Sequence, residues 1–257
     1  MLKNYLIIAN WKMNLDFNES TNFVKIHGED LIKLSTDKNI DLVICPSYPS
    51  LYTLSTIFDE TPIKIGSQNC SRHIRGNFTG QVSAKNLHQI GCSYCIIGHS
   101  ETRLAFNEAD EDIIEKFIHL LDYDISPIVC IGETKEEYTS KATLSVVKKQ
   151  LNGIFKALRS TIMIPKYLEI CIAYEPIWSI GTGVIPDRDH LEMVFGWIKS
   201  EIQKVSTTIN FKLIYGGSVE KNSVEGIKAI SNIDGFLVGR ASLDFNQVEN
   251  IVDKLVK

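Results

Sequence analysis

Eight short apolar runs, each followed by an amphipathic stretch, constrain the fold of this chain more than any other feature. The runs cover residues 5–9, 41–45, 63–66, 94–98, 127–131, 169–174, 212–215 and 235–239. Continuous apolar segments of this length are typical of strands that are buried on both faces of a parallel sheet. Eight such strands alternating with helices over 257 residues predict one domain, a (β/α)8 barrel spanning residues 1–257.

Helix signals lie between the runs. Asp187 opens the stretch DRDHLEMVFGWIKSEIQKV, in which apolar residues recur on one helical face. Asn107 precedes EADEDIIEKFIHLL, whose acidic residues favour the positive end of a helix dipole, so we expect a helix that begins after Asn107. A doubly wound sheet is the alternative fold. It is disfavoured by the number of strands and by the lack of a G-x-G-x-x-G motif after the first run.

The composition argues against several classes of protein. Apolar and charged fractions of 44% and 23% are ordinary for a soluble globular protein, so a disordered chain is not expected. A net charge of −4 does not favour a basic surface for the phosphates of nucleic acids. The apolar stretch in MLKNYLIIANWK is too short for a signal peptide or a spanning helix. We therefore expect a cytoplasmic protein that binds neither membranes nor nucleic acids.

The cysteines predict buried thiols. The six residues are Cys45, Cys70, Cys92, Cys95, Cys130 and Cys171, and most of them lie inside apolar runs. This placement favours reduced thiols over a disulfide framework. Cys92 and Cys95 form a C-x-x-C motif, which also occurs at redox and zinc sites. Because no second pair or nearby histidine pair completes a ligand set, we expect no metal site.

Polar residues follow the apolar runs. They are Asn10 and Lys12, Ser47, Gln68 and Asn69, His99 and Ser100, Glu133, Glu175, Ser218 and Arg240. The carboxyl ends of the strands of a (β/α)8 barrel open on one mouth, where active sites form. Lys12, His99 and Glu175 are each ordinary surface or core residues when taken alone. Their shared position at strand ends favours a catalytic site.

Two glycine-rich stretches, YGGSV at 215–219 and LVGRAS at 237–242, follow the last two runs. Glycines allow backbone N–H groups to approach a ligand closely, and loops at these positions of a barrel often bind phosphate. Gly181, in the loop after Glu175, could donate one more N–H group. The sequence therefore predicts a phosphate site, with two simple tight turns as the alternative.

Six motifs occur in one order along the chain: ANWKMN, IIGHSE, CIGE, AYEPIWSIGTG, YGGSV and GFLVGRASL. In this order and spacing, from about residue 5 to residue 245, the chain resembles the triosephosphate isomerase family. The resemblance implies a homodimeric barrel that interconverts dihydroxyacetone phosphate and glyceraldehyde 3-phosphate without a cofactor or a metal.

The resemblance also implies roles for individual residues. Glu175 would be the base that moves a proton between adjacent carbons, and His99 would be the electrophile. Asn10 and Lys12 would bind the substrate. The residues that would contribute phosphate-binding backbone groups are Gly181, Ser218, Gly239 and Arg240. The residues that would support the catalytic groups are Glu101 and Cys130, and residues 176–184 would form a lid that excludes water.

The chain departs from the family pattern around the lid and the phosphate loops. Val184, Ile185 and Pro186 follow GTG, where many members carry a hinge that begins with lysine. Arg240 replaces the second glycine of a common pair. Its backbone N–H group is retained, so we expect phosphate binding to be retained as well.

The expected dimer contact is also unusual. The resemblance implies that a loop around Thr79 inserts into the partner subunit, where an acid after the loop tip pairs with an arginine after HSE. This chain has Gln81 and Thr102 at those two positions. Both charges are missing together, so we expect a neutral contact instead of an ion pair.

Two rival functions would share the phosphate loops. An aldolase that forms a Schiff base through Lys12 would need that lysine to be desolvated in the barrel interior. A non-catalytic phosphosugar-binding barrel would keep the fold but should lack one of Lys12, His99 and Glu175. All three residues are present.

Overall fold

Eight parallel strands form a closed barrel in which neighbours in the chain are neighbours in the sheet, and the first strand pairs with the last. The computed structural model describes residues 4–160, 164, 165, 167–206 and 208–256, so both ends of the expected 1–257 domain lie outside them. The strands are β1 (Leu6–Asn10), β2 (Asp41–Cys45), β3 (Lys64–Ser67), β4 (Tyr94–Ile97), β5 (Ser126–Ile131), β6 (Glu169–Tyr174), β7 (Asn210–Tyr215) and β8 (Gly235–Val238). The predicted (β/α)8 barrel is confirmed, and the doubly wound alternative is wrong because the sheet closes.

Helices cover the outside of the barrel. They are α1 (Phe17–Lys38), α2 (Tyr48–Ile57), α3 (Ala84–Gln89), α4 (Ser100–Phe106), α5 (Asp110–Asp122), α6 (Lys135–Thr139), α7 (Thr143–Ser160), α8 (Arg188–Val205), α9 (Lys221–Lys228) and α10 (Phe245–Val256). Two 3₁₀ helices, Ile177–Ser179 and Arg240–Leu243, follow β6 and β8. Both lie at the carboxyl ends of strands. Among the described residues, no helix combines the length and the apolar character needed to cross a membrane.

The start of α8 agrees with the sequence, whereas the start of α5 does not. Asp187 caps α8 by accepting the N–H of His190 at 2.8 Å. Asn107 instead ends α4 in the left-handed conformation, with φ of 52°. The next helix begins after Ala109, whose N–H is accepted by Asp112 at 3.2 Å. The prediction for Asn107 was wrong because asparagine tolerates left-handed backbone and so also ends helices.

The core has two layers that follow the alternation of side chains along each strand. One set of strand residues points outward and packs against the helices. The other set fills the barrel interior: Leu6, Ile8, Val43, Cys45, Ile96, Ile128, Cys130, Cys171, Ala173, Ile214 and Leu237. All six cysteines are buried and free, so the expected buried thiols are confirmed. Cys92 and Cys95 therefore form no disulfide.

Candidate active site

A cavity of about 670 Å³ opens at the carboxyl ends of the strands. Its lining contains all eight residues predicted to act on or bind the substrate: Asn10, Lys12, His99, Glu175, Gly181, Ser218, Gly239 and Arg240. These residues are separated by up to 230 positions in the sequence, and barrel closure brings them together. The cavity is thus the mouth that the strand pattern predicts.

Glu175 follows β6 directly and is almost completely buried, with 3% of its surface exposed. Its backbone N–H donates to the carbonyl oxygen of Ile131 at 2.7 Å, which extends the ladder between β5 and β6 by one residue. Two glycines leave room for it. A Cβ atom on Gly132 would overlap the Glu175 carbonyl, and a Cβ atom on Gly216 would lie 2.6 Å from Glu175 Cγ.

The surroundings of Glu175 favour a carboxylate that accepts protons readily. Burial raises its pKa above the ordinary value, while His99, Lys12 and a contact with Cys130 oppose this shift. Oε2 has no hydrogen-bond partner among the described residues. A buried carboxylate oxygen without a donor is under-stabilised in its charged form, which is the property that a general base needs.

His99 lies at the end of β4 and caps α4. Its Nδ1 accepts the backbone N–H of Glu101 at 3.2 Å. A ring nitrogen that accepts this bond carries no proton, so we assign the single proton of a neutral imidazole to Nε2. Nε2 lies 3.4 Å from Oε1 of Glu175. The ring therefore presents a donor to the same space that Glu175 faces.

Lys12 has an unusual backbone conformation, with φ of 53°. Its N–H donates to Oδ1 of Asn10 at 3.1 Å, and its carbonyl accepts Nε2 of Gln68 at 2.7 Å. Its Nζ donates to Oε1 of Glu101 at 2.6 Å. A non-glycine residue held in the left-handed region is enriched at functional sites. The sequence places Gln68 at a strand end but does not reveal that it holds this strained loop.

Glu101 and Cys130 contact the catalytic candidates from two sides. Glu101 is 57% exposed and pairs with Lys12, and its Oε2 also lies 3.7 Å from Nδ1 of His99. Cys130 is fully buried in the barrel interior. Burial, and then the charge of Glu175, raise the pKa of the Cys130 thiol well above its ordinary value. The thiol therefore stays protonated beside the carboxylate.

The loop after Glu175 lies against the YGGSV loop. The N–H of Gly183 donates to Oγ of Ser218 at 3.1 Å, and that hydroxyl donates to the carbonyl of Ser179 at 2.5 Å. Gly181 and Gly183 adopt left-handed φ values of 68° and 74°, which glycine allows at no steric cost. The loop therefore covers one side of the cavity and meets the predicted phosphate loops there.

Thr79, Gln81 and Thr102 lie outside this cavity, beside a separate groove of about 630 Å³. Thr79 and Gln81 are exposed. The hydroxyl of Thr102 lies 2.8 Å from the carbonyl of His99 and 2.9 Å from Oε2 of Glu108. Gln81 and Thr102 therefore line one groove of a single chain. Within the described part of the chain, no cluster of His, Cys, Asp and Glu could hold a metal ion.

Comparisons with known proteins match one family along nearly the whole chain. A family model described as triosephosphate isomerase matches residues 5–255. The triosephosphate isomerase of Buchnera aphidicola subsp. Baizongia pistaciae is 37% identical over 254 residues, which are 98% of this chain and 99% of that protein. That of Wolbachia pipientis wMel is 37% identical over 257 residues, with 99% and 95% covered. That of Francisella tularensis subsp. mediasiatica is 35% identical over 258 residues, with 97% and 98% covered.

Proposed function

This chain belongs to the triosephosphate isomerase family and interconverts dihydroxyacetone phosphate and D-glyceraldehyde 3-phosphate, and we propose that Glu175, His99 and Lys12 carry the reaction. It is an intramolecular aldose–ketose isomerase. One observation carries the assignment of residues. A buried carboxylate with an unpaired oxygen lies 3.4 Å from the imidazole Nε2 at the mouth of the barrel.

Glu175 acts as the base in this proposal. Isomerisation of an α-hydroxy carbonyl removes a proton from one carbon and returns it to the adjacent carbon, so a single carboxylate above both carbons serves both steps. Burial of Glu175 raises its pKa, which brings its proton affinity closer to that of the reacting carbon. The intermediate between the two transfers is an enediolate, whose oxygens carry the negative charge.

His99 and Lys12 stabilise that charge. The Nε2–H of a neutral imidazole donates to the enediolate oxygens, and this family is the standard example of such a neutral histidine. Lys12 supplies a fixed positive charge, and Asn10 holds the Lys12 backbone through its side chain. Donors that already lie where charge develops usually contribute more to catalysis than any other single effect.

The phosphate group binds against the glycine-rich loops that line the same cavity. Gly181, Ser218, Gly239 and Arg240 contribute backbone groups there, and the segment 176–184 closes over the substrate. The contact between Gly183 and Ser218 supports this arrangement, because it links the lid to the phosphate loop. A closed lid keeps water from the enediolate and so suppresses loss of phosphate.

The two rival functions are not favoured. An aldolase lysine would be a neutral amine in a desolvated position, whereas Lys12 is 24% exposed and pairs with Glu101 at 2.6 Å. A non-catalytic barrel would lack one of the three catalytic groups. A coupled isomerase assay tests the function directly, with borohydride trapping as the control for a Schiff base. Turnover without trapping is expected, and trapped adduct at Lys12 would favour the aldolase.

A cytoplasmic homodimer that serves glycolysis and gluconeogenesis completes the proposal. Three large apolar side chains in the groove that contains Thr79, Gln81 and Thr102 are exposed: Tyr48, Phe78 and Phe106. Met13, which follows Lys12 in the chain, is 95% exposed. Sedimentation velocity tests the dimer, and a monomer at micromolar concentration would contradict it.

A further inference from the structure

A buried carboxylate outside the cavity anchors the first residues of the lid. Glu133 follows β5 and is 0% exposed. Its carbonyl accepts the N–H of Ile177 at 3.0 Å, and its Oε1 accepts Nε1 of Trp178 at 3.0 Å. Ile177 and Trp178 begin the segment that covers the active site. The position of Glu133 therefore sets the position of the first hinge.

Glu133 is in turn held by Tyr174. The hydroxyl of Tyr174 lies 3.1 and 3.0 Å from the two carboxylate oxygens, and it lies 2.7 Å from Nε2 of His190. Burial and the nearby Glu133 charge raise the pKa of Tyr174, so its hydroxyl keeps its proton. That single proton serves one acceptor only. A buried carboxylate needs hydrogen-bond donors more than a neutral imidazole does. The Tyr174 hydroxyl therefore donates its hydrogen bond to Glu133 and not to His190.

The remaining contact then requires a proton on His190. If Tyr174 donates to Glu133, its oxygen accepts from Nε2–H of His190. The hydrogen-bond chain runs from His190 through Tyr174 to Glu133, where Trp178 also donates. His190 lies in the first turn of α8, directly after the lid, and its N–H is held by Asp187. The chain of bonds thus joins the two ends of the lid.

Ring packing reinforces the same connection. The ring of Tyr138 lies against Trp178, with 4.4 Å between centroids, and the rings of Tyr138 and His190 are in an edge-to-face arrangement with 5.0 Å between centroids. Nζ of Lys135 lies 4.5 Å from the centroid of Trp178. Trp178 is thereby held on its face by Tyr138 and Lys135 and on its edge by Glu133.

We propose that His190 is a positioning residue for the isomerisation, which couples the two hinges of the lid by donating through Tyr174 to Glu133. The inference rests on the proposed function of the 176–184 segment as a lid. His190 does not line the cavity, and it acts only through the position of Trp178. It is absent from the residues that the sequence patterns single out.

Two substitutions at His190 distinguish the role of its N–H donor from the role of its aromatic ring. His190→Phe keeps an aromatic ring against Tyr138 but removes the donor, whereas His190→Gln keeps an N–H donor at similar reach and removes the ring. We expect kcat to fall about tenfold in His190→Phe, the factor that corresponds to loss of one net hydrogen bond, and to stay within about threefold of wild type in His190→Gln. His88→Phe, at an exposed position on α3, should leave kcat unchanged and is the matched control.

The lid is followed independently of turnover by ¹⁹F NMR of protein labelled with 5-fluorotryptophan. Trp178→Phe identifies the Trp178 resonance, which is recorded with and without glycerol 3-phosphate. We expect His190→Phe to shift this resonance and to change its response to the ligand, and His190→Gln to restore both. In a Tyr174→Phe background, His190→Phe should cause no further change in kcat or in the Trp178 resonance, because the hydrogen-bond link from His190 through Tyr174 to Glu133 is already broken.

Several outcomes would overturn the proposal. Wild-type kcat together with an unchanged Trp178 resonance in His190→Phe would show that the donor has no role. Equal losses in the Phe and Gln variants would assign the effect to ring packing, and additive losses in the Tyr174→Phe background would show that Tyr174 does not transmit it. Failure of the proposed function is distinct, since it would appear as absent isomerase activity in the wild-type protein, whereas the ¹⁹F spectra do not depend on turnover.

Discussion

Nε2 of His99 lies 3.4 Å from Oε1 of Glu175, and both side chains are nearly inaccessible to solvent. The two groups reach this distance from the ends of β4 and β6, which are not adjacent strands. Because Nδ1 of His99 accepts the N–H of Glu101, the nitrogen that faces the carboxylate is a donor on a neutral ring. In the proposed reaction, this pair presents one proton acceptor and one proton donor to the same substrate.

Replacement of Glu175 by glutamine should remove catalysis and keep binding. The amide preserves the shape of the side chain but accepts no proton from carbon, so we expect kcat to fall by roughly 10²–10⁴-fold, the range typical of general base catalysis. Binding of a phosphorylated inhibitor is measured by calorimetry and should persist. Glu225→Gln, at an exposed position on α9, is the control. Near-wild-type turnover of Glu175→Gln would contradict the assignment of the base.

The same substitution should change how stability depends on pH. Burial raises the pKa of Glu175 above its ordinary value of 4.5, so near this pH the folded protein binds more protons than the unfolded chain. The stability associated with this group is fully present below the unfolded pKa and is lost as pH rises through the folded pKa. Urea denaturation of both proteins at several pH values tests this. We expect the stability of Glu175→Gln relative to wild type to increase as pH rises above about 4.5 and to level off above the folded pKa, and a constant difference would disprove the shift.

Gly216→Ala should displace the base without unfolding the protein. A Cβ atom at this position would lie 2.6 Å from Cγ of Glu175, and the backbone of Gly216 is not left-handed, so the conflict is with the side chain alone. Because misplacement of a catalytic group by about 1 Å lowers rates about a hundredfold, we expect a loss of that order in kcat. Gly226→Ala on α9 has no atom within 4 Å and is the matched control. Equal activity in the two variants would show that Glu175 adjusts freely.

Pro186 should stiffen the second hinge of the lid. The residue is buried directly before Asp187, and its ring fixes its own φ and favours an extended conformation for Ile185. We expect Pro186→Ala to shift kcat and KM together by at least about twofold, because hinge substitutions alter opening and closing. Relaxation dispersion on the lid amides accompanies the kinetics. If neither measurement changes, Pro186 has no role in the hinge.

Gln81 and Thr102 should be energetically coupled across the proposed dimer contact. We expect Gln81→Glu and Thr102→Arg to weaken the dimer individually, because one unpaired buried charge costs roughly 3–5 kcal/mol, and the double substitution to recover much of the loss. The measurement is a double-mutant cycle on the dimer dissociation constant.

A parallel cycle on unfolding separates contacts between chains from contacts within one chain, since both residues line the same groove and Thr102 lies 2.9 Å from Glu108. The alternative is that both positions are exposed, where a charge pair contributes only about 0–1 kcal/mol. Effects on dissociation that add within about 0.5 kcal/mol would show that the two sites do not interact.

The local patterns of the sequence were sufficient for the approximate positions of the strands, for the side of the barrel that holds the site and for eight of the residues that line its cavity. Strand character depends on a few consecutive apolar residues, and a polar residue after such a run is visible in the chain itself. Once the runs belong to a parallel barrel, their carboxyl ends must share one mouth. The position of Glu175, His99 and Lys12 follows from those two steps.

Only the tertiary structure decided which groups touch. The contact of Gly216 with Glu175, the support of Lys12 by Gln68 and the link from His190 to Glu133 join segments that are 41, 56 and 57 positions apart. Such pairs leave no periodic signal, because they depend on strand register and on side-chain direction after the barrel has closed. Asn107 shows the same limit within a short segment of the chain. An asparagine can either begin or end a helix, and only the neighbouring turns determine which. The chain therefore encodes its proposed catalytic residues in short motifs, whereas the contacts that hold them in place arise from closure of the barrel.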